Sequence, residues 1–351
     1  MNFKAILIFI LLPGIGPVFS QDDPIRREVQ KLIRHETGIR FERTPGFIVA
    51  MLEKDTTFIF SFGQRSPEDT KPLVKQDIFE IGGVTKLFTA LITVQVAEQY
   101  NVDLHQSINR YLENPNPALD SCTLFSLLTH TSGFPKYPAG WGIYEKETNN
   151  PFAHFAPQEV ETFLNQFSRL DQSPPEYLYS HLNFVVLQWI LTKITGRDYE
   201  KLLSDYIHPF QLTVSPTTLP TVGGYGLDSK LKPPWTSKAY QGSVGIKTTL
   251  DDLVRFCRLT LENPVFQKLL QPIPMRTGKN KGWVSLGWQV LPVPKNRFVY
   301  AHTGRTEGHH CFVGLFPETS TGVIILSNSA VGTDPLGLSI LTMMNQNWKR
   351  K

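Results

Sequence analysis

The sequence predicts a mixed α/β protein of the α+β kind: an antiparallel sheet flanked by helices, with a mainly helical subdomain inserted between its strands. Three observations predict it. Short β-branched and apolar runs cluster near the start and the end of the chain. A long middle stretch carries helical periodicity instead. Amphipathic helices bracket the whole arrangement. A sheet assembled from both ends of the chain accounts for this order, and a crevice between the two layers is the natural place for a site.

The elements follow in chain order. Lys4 is the only charged residue before Asp22, Ala5 to Leu12 is apolar, and Val18 and Ser20 are small. This tripartite pattern reads as a secretory signal peptide, residues 1–20, cleaved after Ser20. Its apolar run is too short to span a bilayer. No later stretch has eighteen apolar residues, so no transmembrane segment is expected. Asp23 and Pro24 read as an N-cap and first-turn proline. Ile25, Val29, Leu32 and Ile33 share one face of a helix ending near His35. Phe47–Leu52 and Thr57–Phe62 form a hairpin around Glu53-Lys54-Asp55. Thr85–Glu98 is apolar on most sides, as a buried helix is.

Further helical segments are expected at Ser121–Leu128, Pro157–Phe167, Phe184–Ile194 and Tyr199–Tyr206. Strands are expected at Leu286–Val290, Arg297–His302, Cys311–Phe316 and Gly322–Asn328. A last helix begins at Asp334-Pro335 and runs to about Trp348. The domain plan is therefore one unit, 21–351. Its α/β layer comes from 21–80 and 246–351, and its helical layer from 81–245.

Composition excludes several classes. With 41% hydrophobic and 19% charged residues the chain is neither disordered nor fibrous. A net charge of +4, with no block of like charges, gives no nucleic-acid footprint. The three cysteines, Cys122, Cys257 and Cys311, are an odd count without C-x-x-C spacing, and read as buried free thiols. No H-E-x-x-H occurs, so neither metal nor cofactor is expected. Nothing in the sequence speaks to oligomeric state.

A series of short motifs carries more. Pro45–Ala50, Phe79–Ala90, Leu127–Gly133, Tyr179-Ser180-His181-Leu182-Asn183, Tyr206–Pro209, Leu286-Gly287-Trp288, His302-Thr303-Gly304 and Gly322–Asn328 occur in order across nearly the whole chain. Together they resemble the class C β-lactamase superfamily, which includes D-alanyl-D-alanine peptidases, esterases and acyltransferases. The resemblance implies the β-lactamase/transpeptidase-like fold. It also implies acyl transfer by the serine of an S-x-x-K motif, with a lysine and a Y-x-N tyrosine managing protons.

Carried over residue by residue, Lys86 is the motif lysine and Tyr179 the motif tyrosine. The nucleophile position is Gly83, in Ile81-Gly82-Gly83-Val84-Thr85-Lys86, so no acyl-enzyme can form there. Thr85 points elsewhere around the helix and is expected to pack. Lys86 is expected to activate the Tyr179 phenol by charge and hydrogen bonding. His181 replaces the family's asparagine, a second departure. His302, Thr303 and Gly304 form the H-T-G wall. The backbone amides of Gly83 and Arg305 would form the oxyanion hole. The substrate-binding set is thus Gly83, His181, His302, Thr303, Gly304 and Arg305. Glu307, His309 and His310 are expected on loop surface beside it, and Gly242–Gly245 as scaffold.

Three functions remain open on the sequence. The first is a non-catalytic member that binds a small peptide, ester or β-lactam-like ligand. The second is an enzyme using Lys86 and Tyr179 as an acid–base pair without an acyl-serine. The third is an ordinary serine hydrolase, if Gly83 is a variant.

Overall fold

The computed structural model describes residues 24–35, 44–139, 150–168, 176–216, 219–277 and 280–346. The signal-peptide reading, Asp23 and Trp348 lie outside these. Among the described residues eight strands form one antiparallel sheet. Their order is Thr56–Gly63, Gly46–Glu53, Thr321–Ser327, His310–Phe316, Arg297–Arg305, Gln289–Val293, Asn280–Val284 and Ile273–Thr277. The N-terminal hairpin joins the C-terminal strands at one seam, where Phe47 faces Ser327 and Glu53 faces Thr321.

This sheet is covered on both faces, which explains why Gly46–Glu53 reads as an unbroken apolar run. Phe47, Val49 and Met51 point one way, against Ile25, Val29 and Ile33 of the helix Pro24–His35 and Leu336 and Ile340 of the helix Asp334–Asn345. Ile48, Ala50 and Leu52 point the other way, into the larger core shared with the buried helix Thr85–Gln99. The edge strand Thr56–Gly63 alternates instead, burying Phe58, Phe60 and Phe62.

Four sequence expectations need adjusting. The hairpin Ile273–Thr277 and Asn280–Val284 was not expected. It lies at the sheet edge, is only partly buried, and contains Pro274 and Gly282, so it carries no strong strand pattern. The run expected as Leu286–Val290 pairs as Gln289–Val293. Leu286 and Trp288 are buried, but as part of a turn at Gly287, φ +81°. A β-carbon there would come 3.1 Å from Ala90 Cβ. Glycine supplies both the left-handed backbone and the close approach.

The helix expected from Phe184 begins at His181 and ends at Thr195 before Gly196, φ +69°. Ser180 caps it, its Oγ accepting from Asn183 N at 3.2 Å. The segment from Ser121 is helical only over Leu124–Leu128, started by a reciprocal Thr123/Ser126 capping box. Cys122, Cys257 and Cys311 are buried thiols outside any disulfide among the described residues.

Candidate active-site cleft

A turn of 3₁₀ helix, Gly82–Val84, leads into the helix Thr85–Gln99. The end of the strand Arg297–Arg305 crosses this turn with almost no clearance. A β-carbon on Gly304 would lie 1.9 Å from Ile81 O and 2.7 Å from Gly83 N. One on Gly82 would lie 2.7 Å from Arg305 N. Only glycines permit this backbone-to-backbone contact. It sets Gly83 and Arg305 side by side on the wall of a cleft of about 270 Å³.

Gly83 does more than lack a side chain. A β-carbon placed on it would meet the Thr303 carbonyl oxygen at 2.7 Å, Tyr179 Oη at 3.1 Å and His302 Cε1 at 3.2 Å. The volume a side chain would enter is already held by the neighbouring strand and by the tyrosine hydroxyl.

Tyr179, His181, Thr303, Gly304 and Arg305 line the cleft with Gly83. Lys86 does not; it is fully buried one turn along the helix. Its Nζ donates to Ser243 O at 2.9 Å and lies 3.1 Å from His181 Nδ1. Burial first, and then Lys136, hold the Lys86 amine well below the usual lysine range. The expected activation of Tyr179 is not what the geometry supplies. Lys86 Nζ sits 5.2 Å from the centre of the Tyr179 ring. Burial, then Tyr177 and Tyr137, push the Tyr179 phenol well above its ordinary value. Tyr179 is kept as a neutral phenol, its ring against His130 with centroids 4.6 Å apart.

His181 connects the buried lysine to the cleft. It stacks on Tyr137 at 5.2 Å and 10°, with Phe152 edge-on at 5.8 Å. Burial, then Lys86, hold its imidazole well below the ordinary histidine value, so it is neutral. Ser243 closes the arrangement. Its Oγ donates to His181 O at 3.1 Å and lies 3.3 Å from His181 Nδ1.

His302 is placed differently from the expectation. Strand alternation puts Thr303 and Arg305 on one face and His302 on the other. His302 is buried behind the wall, with Nδ1 2.8 Å from the Thr303 carbonyl oxygen and Nε2 buried without a hydrogen-bond partner. Burial lowers its pKa to about 3. Thr85, expected to pack, is buried and also accepts a hydrogen bond from Ile246 N at 3.1 Å.

The expectation that His309 and His310 are loop surface is overturned. Both are buried. His309 Nδ1 lies 3.2 Å from Glu80 Oε2, and His310 Nδ1 lies 3.0 Å from Thr333 Oγ1. Glu80 also accepts from Thr306 Oγ1 at 3.0 Å and, through its other oxygen, from Trp235 N at 2.6 Å. This carboxylate fixes the cleft residues Thr306 and Trp235 from beneath. Glu307 does line the cleft.

Lys136, Tyr137, Phe152, Trp235 and Gln289 complete the wall and were missed in the sequence, as was Ser243 at its back. Lys136 and Tyr137 follow closely on Thr131-Ser132-Gly133, a signal that could have found them. Phe152 and Trp235 lie in irregular segments with no pattern. Among the described residues no group of three or more metal-ligating side chains converges.

A two-layer α/β fold with its cleft between the start of a buried helix and the end of the strand Arg297–Arg305 defines a serine-hydrolase-like fold of the β-lactamase/transpeptidase type. The family described as Beta-lactamase matches residues 29–339, and the chain belongs to that family. It is 24% identical to a beta-lactamase of Pseudomonas fluorescens, covering 81% of this chain and 88% of the relative. It is 22% identical to penicillin-binding protein 4* of Bacillus subtilis, covering 82% and 69%. A solved class C beta lactamase from Rhodobacter sphaeroides shares the fold at TM-score 0.76 and 17% identity, over 92% of this chain and 99% of that one. A beta-lactamase/D-alanine carboxypeptidase from Pseudomonas syringae does so at 0.75 and 17%, over 92% and 100%.

Proposed function

We propose that the chain is an exported, non-acylating member of the β-lactamase family whose cleft binds a small peptide, ester or β-lactam-like ligand through its carbonyl group. The observation that carries this reading is at Gly83. The position has no hydroxyl, and a β-carbon there would stand 2.7 Å from the Thr303 carbonyl oxygen. Backbone amides of Gly83 and Arg305 need no side chain, so the donors for a carbonyl oxygen are retained. Lys136 and Arg305 outweigh the single carboxylate Glu307 among the lining residues, which favours a ligand that also carries negative charge. The leader pattern of residues 1–20 supports export. Among the described residues no helix is long and apolar enough to cross a membrane.

A second reading has one observation in its favour. Lys86 is biased toward its free amine and His181 is neutral, while Tyr179 holds its proton. A base and an acid are therefore adjacent, as direct attack by water on a bound carbonyl would need.

Wild type and Gly83→Ser, treated with a fluorescent penicillin and with p-nitrophenyl acetate, test both readings by intact mass and absorbance. The first expects no wild-type adduct and no turnover, with any adduct confined to Gly83→Ser. A wild-type adduct overturns it. Wild-type turnover lost in Tyr179→Phe would establish the second reading, and turnover unchanged in that variant would sink it.

A further inference from the structure

The two-stranded pairing of Phe79–Glu80 with Lys247–Thr248 places Lys247 directly across from Glu80. Lys247 is fixed from its other side as well, its backbone N and O bonded to Ser215. Lys247 is 1% exposed, and its Nζ makes no hydrogen bond or ion pair among the described residues, although that atom is not among the polar atoms sealed from solvent. Glu80 does not pair with it, because the Glu80 oxygens are occupied by Trp235, Thr306 and His309.

Lys247 instead lines a second cavity of about 640 Å³, large enough for a small organic ligand. The wall is mostly aliphatic: Leu219, Pro220, Leu231, Pro233 and Pro234. The other lysine of the lining, Lys232, is held by Asp228 at 2.9 Å. Leu231 lines the cavity and is 64% exposed, so its side chain is reachable from solvent. The segment Leu231–Thr236 separates this cavity from the cleft, since Trp235 lines the cleft while its neighbours line the cavity.

We propose that this cavity is a second binding site, distinct from the cleft, for an apolar molecule that ends in a carboxylate, with the head on Lys247 and the tail along Leu219, Leu231 and the prolines. Lys247 reaches the wall of this mostly apolar cavity with no protein anion bonded to its amine among the described residues, and a charge-assisted contact there favours an anionic head. A carboxylate supplies that contact, and the aliphatic wall supplies the apolar burial. Burial lowers the Lys247 pKa and Glu80 partly restores it; a bound carboxylate would restore it further.

Calorimetric titration with octanoate tests the site. Saturable one-to-one binding is expected for wild type, at least tenfold weaker in Lys247→Met, and at least fivefold weaker in Leu231→Asp. The second variant changes an exposed residue, so it reads the site even if Lys247→Met does not fold. Octanol is expected to bind more weakly than octanoate to wild type. Absence of octanoate binding at millimolar concentration overturns the proposal. So does affinity unchanged in the variants, or octanol binding as tightly as octanoate.

Discussion

Lys86 Nζ stands 3.1 Å from His181 Nδ1, and the bonds of that amine go to an imidazole and a carbonyl, with no carboxylate among them. A buried amine is thus surrounded by groups that favour its neutral form. Lys86 in turn helps to lower three histidines, His130, His181 and His302, each of which is lowered chiefly by burial. The machinery behind the cleft is held in its uncharged form by desolvation and mutual repulsion.

Acid should therefore weaken the fold. These imidazoles have folded pKa values below the ordinary 6.5, about 3 for His302. The unfolded chain takes up protons near 6.5 while the folded chain does not, so stability is full above that pH and is lost as pH falls toward the folded value. His302 alone would forfeit about 3 kcal/mol by pH 4. Thermal melts between pH 7 and 4 should show a falling Tm, with a shallower fall in Lys86→Met. A Tm constant over that range would mean that the imidazoles are protonated in the native state.

Gly83→Ala and Gly83→Ser should both destabilise, by about 1–3 kcal/mol, because either β-carbon presses on the Thr303 carbonyl. Urea unfolding measures this. Similar losses in the two variants would assign the effect to the carbon and not the hydroxyl; wild-type stability in Gly83→Ala would show that the strand yields freely.

Glu80→Ala should lose about 3–5 kcal/mol, since it strands His309, Thr306 and the Trp235 amide in a buried setting. Glu80→Gln keeps an acceptor oxygen and should lose less. If both unfold at the wild-type urea midpoint, the carboxylate does not hold the cleft floor together.

The three thiols should be silent in the native protein. All are buried, and burial raises the pKa of Cys257 and Cys311. A thiol-reactive dye should label none in buffer and three in guanidinium. One native label would place a cysteine at the surface.

Much of the fold was legible because its signals are local. The hairpin at Gly46, the buried helix at Thr85 and the late strands each announce themselves through apolar periodicity. The hairpin Ile273–Val284 did not, since an edge pair with one half-buried face has no such pattern. The helix beginning at His181 was read late because its cap, Ser180, sits inside a motif read for chemistry. At the site, Gly83 and Tyr179 were placed together by the resemblance. That His302 lies behind the wall, and that Glu80 and His309 form a buried pair, depends on residues 229 apart meeting in space. No local pattern reports such a contact.

The seam between the hairpin and the last strands also dictates when the cleft can exist during synthesis. Gly46 N donates to Asn328 Oδ1, 282 residues later. Gly83 gains its neighbours Thr303 and Arg305 only once the strand Arg297–Arg305 has left the ribosome. Until then the helical middle can form while the first hairpin waits with an open apolar edge. Such distant pairings make folding slow and leave that edge exposed to other chains. Termination before the strand Arg297–Arg305 would therefore leave a sticky fragment with no recognition surface at all.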